Sequence, residues 1–279
     1  MISPGGCELS GREQVAYAAS KVPAATLTFW VLKLIATTVG EIAGNLVSMS
    51  WLGETTARAG QEGVNGYFVG TAMFGLALLV TAWVQIHATR FNKWIYWATI
   101  VASTTFGTTL ADFATRSLGI GYTGGSLLLL GLVLLSLFMW KVDAGRISAD
   151  IITSRKSEVH YWVTITFSQT LGTALGDWFA DTAGLGYAGS TAVFTVVLAI
   201  IAALYFTRRG NPVLLFWAAF IITRPFGAVF GNLFDKPASH GGYGISRVLL
   251  TSILLGLMVI CLWIMPQRAK ASHEAPASQ

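Results

Sequence analysis

Long apolar segments alternate with short polar ones along most of the chain, and eight of them are long enough to cross a lipid bilayer as helices. Their apolar residues run continuously without a two-residue alternation, so the pattern favours membrane-spanning helices over a β-barrel. The predicted fold is an all-α polytopic membrane protein with eight transmembrane helices. The predicted spans are 22–50, 64–88, 94–116, 124–141, 159–181, 188–208, 212–234 and 244–265.

A second pattern divides these helices into four tandem copies of one unit. Each odd-numbered helix carries a Trp, a Gly ten positions later, and an Asn or Asp five positions after the Gly. Four matches in one register indicate internal repetition. Each copy is followed by a second apolar run, so we expect each unit to be a helical hairpin. The copies are Trp30–Gly40–Asn45, Trp97–Gly107–Asp112, Trp162–Gly172–Asp177 and Trp217–Gly227–Asn232.

The longest internal loop, residues 142–158, carries charges of both signs and lies between the second and third copies. We therefore expect two pseudo-symmetric halves, 22–141 and 159–265, joined by a cytoplasmic linker. Residues 1–21 are expected to form a cytoplasmic tail, and residues 266–279 a disordered one.

Composition and charge place the chain in a membrane. Hydrophobic residues make up 54% of the chain and charged residues only 11%, far from the roughly 25% charged fraction of a soluble domain. Twelve of the 18 Lys and Arg lie at the termini and in the even-numbered loops, against four in the odd-numbered loops. This asymmetry predicts that both termini are cytoplasmic. It also accounts for the net charge of +5 without a nucleic acid partner. The sequence leaves open whether the protein forms a homo-oligomer.

Three carboxylates, Glu41, Asp112 and Asp177, lie deep in the predicted spans. An ionisable group there costs about 2.5–3.5 kcal/mol and usually marks a transport pathway. Asn45 and Asn232 occupy the repeat position of Asp112 and Asp177, so the four would form a ring of oxygen-bearing side chains around one axis. We count all five as candidate ion- or proton-binding residues, together with Asp181 nearer the outer edge.

Two cations accompany these carboxylates. Arg224 lies about one turn from Glu41 in equivalent repeat positions, so the two are expected to pair. Lys33 lies two turns below Glu41 and is expected to face a cytoplasmic vestibule or to snorkel towards it. Three deep carboxylates against two cations leave a deficit of one charge, which a bound cation or a proton would fill. Polar support is expected from Thr37, Thr104 and Gln169.

Oxygen-only ligands favour hard ions such as magnesium, calcium, manganese or sodium, so Glu41, Asp112 and Asp177 are the candidate metal ligands. The motifs of enzymes and cofactor sites are missing from the sequence. We expect no catalytic residues and no cofactor apart from a transported cation.

Two further expectations concern helix shape and surface: a helix break at Pro225 and an aromatic belt formed by the four repeat Trp residues at the cytoplasmic boundary.

Two stretches give the chain a family resemblance: TTxGExxGN at 37–45 and FxxTxGxxxGDxxxD at 167–181. Over residues 30 to about 263 the chain resembles bacterial membrane proteins built from the repeat called domain of unknown function 347. These proteins are often described as uncharacterised membrane-anchored proteins. The resemblance implies a multi-pass protein of the bacterial inner membrane and supplies no activity.

Two functions remain open at this point. The leading hypothesis is a secondary transporter that exchanges a small cation, such as manganese or magnesium, with protons at the intramembrane carboxylates. The alternative is a non-transporting scaffold, sensor or small-ligand receptor in which the carboxylates and Arg224 only lock helices together. An intramembrane enzyme is disfavoured because nothing in the sequence indicates a substrate.

Overall fold

The computed structural model describes residues 21–53, 65–145, 152 and 154–267. This part of the chain forms eight α-helices and no β-strand. The helices lie where the apolar segments predict them, and the largest shifts are at the two ends of α1, from 22 to Leu27 and from 50 to Asn45. They are α1 (Leu27–Asn45), α2 (Gly66–His87), α3 (Lys93–Asp112), α4 (Gly121–Ala144), α5 (Arg155–Asp177), α6 (Gly186–Phe206), α7 (Pro212–Asp235) and α8 (Arg247–Ile264).

The predicted N-terminal tail lies outside the described residues except for Lys21, as does most of the predicted C-terminal tail. The predicted linker overlaps the end of α4 and the start of α5, and residues 146–151 and 153 within it are not described. α7 runs without interruption through Pro225. The predicted helix break at this proline is therefore wrong.

Six of the eight helices are long and apolar enough to cross a membrane, and α3 and α5 are the two that are not. The buried faces of α3 and α5 are rich in Thr and Ser, so their polar side chains are enclosed by protein and not by lipid. α2, α4, α6 and α8 leave most of their apolar residues exposed. Exposed apolar surface on this scale indicates a membrane protein.

The four helices that carry the repeat motif form the inner layer. α1 packs against α3 and α7, and α5 packs against the same two helices, so α1, α3, α5 and α7 close into one ring. The outer helices cover this ring from outside: α2 packs on α3, α4 on α5, α6 on α7 and α8 on α1. Each outer helix thus packs mainly on the inner helix of the following copy. The predicted hairpin describes the chain connection, but it is not the packing unit.

Each repeat glycine is a socket for the neighbouring inner helix. A Cβ added at any of the four would collide with the residue that lies three positions before the corresponding glycine on the next helix. The same contact is made four times around the ring, because small residues let helix backbones approach closely. The pairs are Gly40 with Thr104, Gly107 with Gln169, Gly172 with Arg224, and Gly227 with Thr37.

The two ends of the ring differ in chemistry. At the end where the repeat Trp residues lie, which we call the aromatic end, one buried cluster contains Phe29, Trp97, Trp162 and Trp217. At the other end, which we call the carboxylate end, buried Asp, Glu and Asn side chains replace the aromatic ones. Trp30 is partly buried against the aromatic cluster. The prediction of an aromatic belt at the lipid boundary is therefore wrong for Trp97, Trp162 and Trp217.

The glycine sockets give a matched pair of substitutions. In Gly107→Ala, the new Cβ would lie 2.9 Å from the backbone of Gln169 and Thr170, which cannot move aside as a flexible side chain can. We expect a loss of roughly 1–3 kcal/mol in the free energy of unfolding, or more. Gly131→Ala on α4 meets nothing within 4 Å and should leave stability unchanged or slightly raised. Thermal unfolding in detergent compares the two, and equal effects would contradict the socket.

Candidate functional site

Arg224 lies at the centre of the ring and is fully buried. Its two terminal nitrogens approach Glu41 Oε2 of α1 at 3.4 Å each. One of them also donates to the hydroxyls of Thr108 on α3 and Thr173 on α5 at 2.6 Å, and to the carbonyl oxygen of Thr104 at 3.3 Å. The guanidinium of α7 is thus bonded to all three other inner helices. The predicted pairing of Arg224 with Glu41 is confirmed.

The other oxygen of Glu41 faces the carboxylate end. Glu41 Oε1 accepts hydrogen bonds from the side-chain amides of Asn232 at 3.1 Å and Asn45 at 3.5 Å. The Asn45 amide also donates to Asn232 Oδ1 at 2.9 Å, and the Asn232 amide donates to Asp177 Oδ1 at 3.4 Å. Glu41 therefore connects Arg224 to the predicted oxygen-bearing residues.

Arg116 connects Asp112, the last of the predicted oxygen-bearing residues, to the others. Its side chain lies 3.3 Å from Asp112 Oδ1 and 3.0 Å from Asp177 Oδ2, and so bridges the two aspartates. It also donates to the hydroxyls of Tyr67 and Tyr122 at 3.0 Å each. The four predicted positions are thus joined in the order Asn45, Asn232, Asp177, Arg116, Asp112.

Asp235 is a fourth buried carboxylate at this end. Arg247 Nε lies 2.6 Å from Asp235 Oδ2, and Asn45 donates to the same oxygen at 3.3 Å. Lys236 acts electrostatically on Glu41, Asp112 and Asp177, and its ammonium contacts Met49 Sδ at 3.4 Å. We call Glu41, Asp112, Asp177 and Asp235, with Arg224, Arg116, Arg247 and Lys236, the ionic cluster.

The ionic cluster corrects the predicted charge balance. Sequence reasoning set three carboxylates against Arg224 and Lys33 and found a missing positive charge. In the ionic cluster four carboxylates face four cations, and Lys33 is not one of them. Arg116, Lys236 and Arg247 are three of the four basic residues counted with the odd-numbered loops, so they are missing from the predicted balance. The missed signal is the spacing of Arg116, four residues after Asp112, which places the two side chains on one helix face.

The remaining predicted residues divide into those inside the ring and one outside it. Thr37, Thr104 and Gln169 are fully buried on the inner helices. Lys33 is also fully buried, with its ammonium 3.9 Å from the centre of the Phe220 ring. The expectation that Lys33 faces a vestibule or snorkels is therefore wrong. Asp181 is exposed and lies outside the ionic cluster.

The predicted metal ligands do not form a ligand set in this structure. Asp112 and Asp177 are bridged by an arginine, and Glu41 is bonded to a second one. Among the described residues no group of three or more His, Cys, Asp or Glu side chains is arranged to hold a metal ion. A cation at these oxygens would compete with Arg116 or Arg224.

The turn that follows the repeat Asn or Asp is wider than an α-helical turn in three of the four copies. π-Helical segments begin directly after Asn45, Asp112 and Asp177, at Leu46–Trp51, Phe113–Ser117 and Trp178–Thr182. In the fourth copy α7 continues as an α-helix past Asn232 to Asp235. Such segments are rare and occur frequently at functional sites. Here they mark the carboxylate end.

Comparison with known proteins gives one match. The family model for the Repeat of Unknown Function (DUF347) matches residues 95–145, 160–211 and 215–269. Each match begins two residues before a repeat Trp, at Trp97, Trp162 and Trp217. The first copy, which carries Glu41, lies outside the matched segments. No curated protein and no solved structure matches the chain.

The central ion pair can be tested by a double-mutant cycle. Glu41→Gln leaves the Arg224 guanidinium buried without a compensating charge, and we expect a loss of about 3–5 kcal/mol in stability. Arg224→Met removes the charge and keeps an apolar stem of similar length. The double variant should lose clearly less stability than the sum of the two single variants, because neither charge is then left alone. Chemical unfolding in detergent measures the coupling, and additive losses would show that the pair does not contribute.

Proposed function

This chain belongs to the family of the Repeat of Unknown Function (DUF347), and on that premise we propose that it is a multi-pass secondary transporter of a small cation. In this proposal all eight helices cross the membrane as four tandem repeats in two pseudo-symmetric halves. Six helices have the length and composition for this, and the two others, α3 and α5, belong to the inner ring together with α1 and α7. The positive-inside distribution supports cytoplasmic termini, and the family resemblance supports a bacterial inner membrane. We assign the protein no enzymatic step.

The observation that carries the proposal is the continuous chain of buried carboxylates and amides from the ring centre to the carboxylate end. It starts at Glu41, passes through Asn232 to Asp177, and continues through the Arg116 guanidinium to Asp112. Ionisable groups inside a membrane are costly and commonly mark an ion or proton pathway. A bundle held together by packing alone would not need four carboxylates in its centre.

The charge balance suggests how a cation would bind. Arg116 holds Asp112 and Asp177 together as a tethered cation, so an incoming cation must replace its guanidinium. Replacement of one positive charge by another keeps the carboxylates neutralised throughout. The alternative, an empty pair of buried carboxylates, carries a large desolvation cost. A proton can take the same place at either aspartate, which would couple cation movement to protons in the opposite direction.

The scaffold alternative has its own support. Every carboxylate of the ionic cluster already has a basic partner, as expected if the cluster only locks the helices together. The two functions differ in what the substitution of one carboxylate removes. In a scaffold it lowers stability and there is no flux to lose, whereas in a transporter it lowers flux in protein that is still folded.

Purified protein in liposomes tests this choice. We expect wild-type protein to move at least one cation from a panel of manganese, magnesium, calcium and sodium, with counterflow of protons. Asp177→Asn should lower that flux at least about tenfold, because an amide can neither bind a proton nor neutralise a cation. Asp181→Asn, on the same stretch but exposed and outside the ionic cluster, should retain the wild-type rate.

Folded protein that moves none of these cations, or wild-type flux in Asp177→Asn, would overturn the transporter proposal. A lower melting temperature of Asp177→Asn together with no flux in any protein would favour the scaffold.

A further inference from the structure

A layer of polar atoms without partners lies just on the aromatic side of the Arg224–Glu41 pair. Lys33 is its charged member: it is fully buried, and its ammonium has no hydrogen-bond partner among the described residues. The ammonium lies 3.9 Å from the centre of the Phe220 ring. Phe220 lies one helical turn before Arg224 on α7, which places Lys33 one layer below the guanidinium.

Gln169 and Arg224 carry further unpartnered atoms at the repeat position one helical turn beyond Lys33 and Phe220. Gln169 is fully buried, and neither its amide nitrogen nor its oxygen is hydrogen-bonded within the described structure. Gln169 lies one turn before Gly172, the glycine against which the Arg224 side chain rests. The Nε of Arg224 also has no partner, although both terminal nitrogens are bonded towards the carboxylate end.

A protonated Lys33 in this layer has no counter-charge among the described residues. The charged group that acts on the Lys33 ammonium is Arg224, a second cation, and the carboxylate of Glu41 is bonded to the far side of that guanidinium. No ion pair involving Lys33 occurs among the described residues. A buried ammonium without a counter-charge is unfavourable, so this position calls for a negative charge.

The tryptophans of the aromatic end add donors and no acceptors. The indole N–H groups of Trp97, Trp162 and Trp217 are all buried without a partner in the described part of the chain. Buried indole N–H groups usually find an acceptor. The Trp217 ring lies 5.8 Å from the Phe220 ring that faces Lys33. The three indoles therefore add unpartnered donors on the aromatic side of the layer.

We propose that this layer binds a small monovalent anion, either a halide or a single carboxylate group. Lys33 supplies the counter-charge, the Gln169 amide and Arg224 Nε donate hydrogen bonds, and the Phe220 face closes one side. This site is separate from the cation pathway: it uses the opposite side of the Arg224 guanidinium and does not depend on transport. One uncompensated ammonium limits the ligand to a single charge.

Thermal unfolding of the full chain in detergent tests the site. The buffer contains sulfate at fixed ionic strength and fixed cation, and chloride, bromide, nitrate or acetate replaces it stepwise. Selective binding to the folded protein raises the melting temperature with ligand concentration. A saturable rise with halide or nitrate indicates an inorganic anion, and a rise with acetate alone indicates the carboxylate of an organic solute.

Two variants locate the effect. Lys33→Met keeps the apolar stem but removes the charge and the donors, so the anion-dependent rise should disappear. Its fold is expected to survive, because replacing an unpaired buried charge by an apolar side chain tends to stabilise. Lys141→Met removes an exposed lysine of α4 and should respond as wild-type protein does, which controls for net charge.

No anion-dependent rise in wild-type protein, or an equal rise in Lys33→Met, would overturn the proposed site. Asp177→Asn should keep the anion response, since that aspartate belongs to the carboxylate end. Failure of the anion site and failure of the cation pathway are therefore distinguishable.

Discussion

The structure depends on one requirement: a guanidinium enclosed by protein must find a counter-charge and hydrogen-bond acceptors on every side that carries a donor. Arg224 meets most of this requirement by using all of its neighbours in the ring. Glu41 supplies the charge, and Thr108 and Thr173 supply oxygens from two further helices. The arginine stem fits because Gly172 has no side chain where it crosses α5. Packing and charge are thus set by the same contact, and the order of the inner helices follows from it.

From this pair, the paired charges extend in one direction. Towards the carboxylate end each carboxylate of the ionic cluster has a basic partner, with Arg116 and Arg247 neutralising the last aspartates. Towards the aromatic end the Lys33 ammonium has no counter-charge, and neither it, the Gln169 amide group nor the indole N–H groups of Trp97, Trp162 and Trp217 have a hydrogen-bond partner among the described residues. A ring built only for mechanical strength would be expected to satisfy both directions, because unpaired buried polar groups are destabilising. The asymmetry itself argues for ligands in the centre of the ring.

Much of the fold could be predicted because the apolar segments are long and the repeat is regular. The Glu41–Arg224 pair also followed from helical geometry, since equivalent repeat positions fix relative height along the ring. Which outer helix packs on which inner helix could not be predicted, because connection and packing are independent once a ring closes. Lys33 and Arg116 were misassigned for a related reason: sequence position gives depth but not helix rotation. Both side chains face into the protein. Depth alone placed Lys33 towards a water-filled vestibule and Arg116 in a loop.

The four copies agree where they pack and differ where charge is found. The glycine of each motif is the same in all copies, and it makes the same contact with the next helix. Three positions before that glycine, the copies carry Thr, Thr, Gln and Arg, and four positions earlier still they carry Lys, Ile, Ile and Phe. A ring of four identical units would repeat any central charge four times. Four like charges close together in the centre would repel one another strongly, because the dielectric constant there is low. Divergence between copies is therefore what allows one Arg–Glu pair and one lysine to occupy the centre. The specific chemistry of the protein must then lie in the differences between its repeats, while the repeated residues build the ring that holds them.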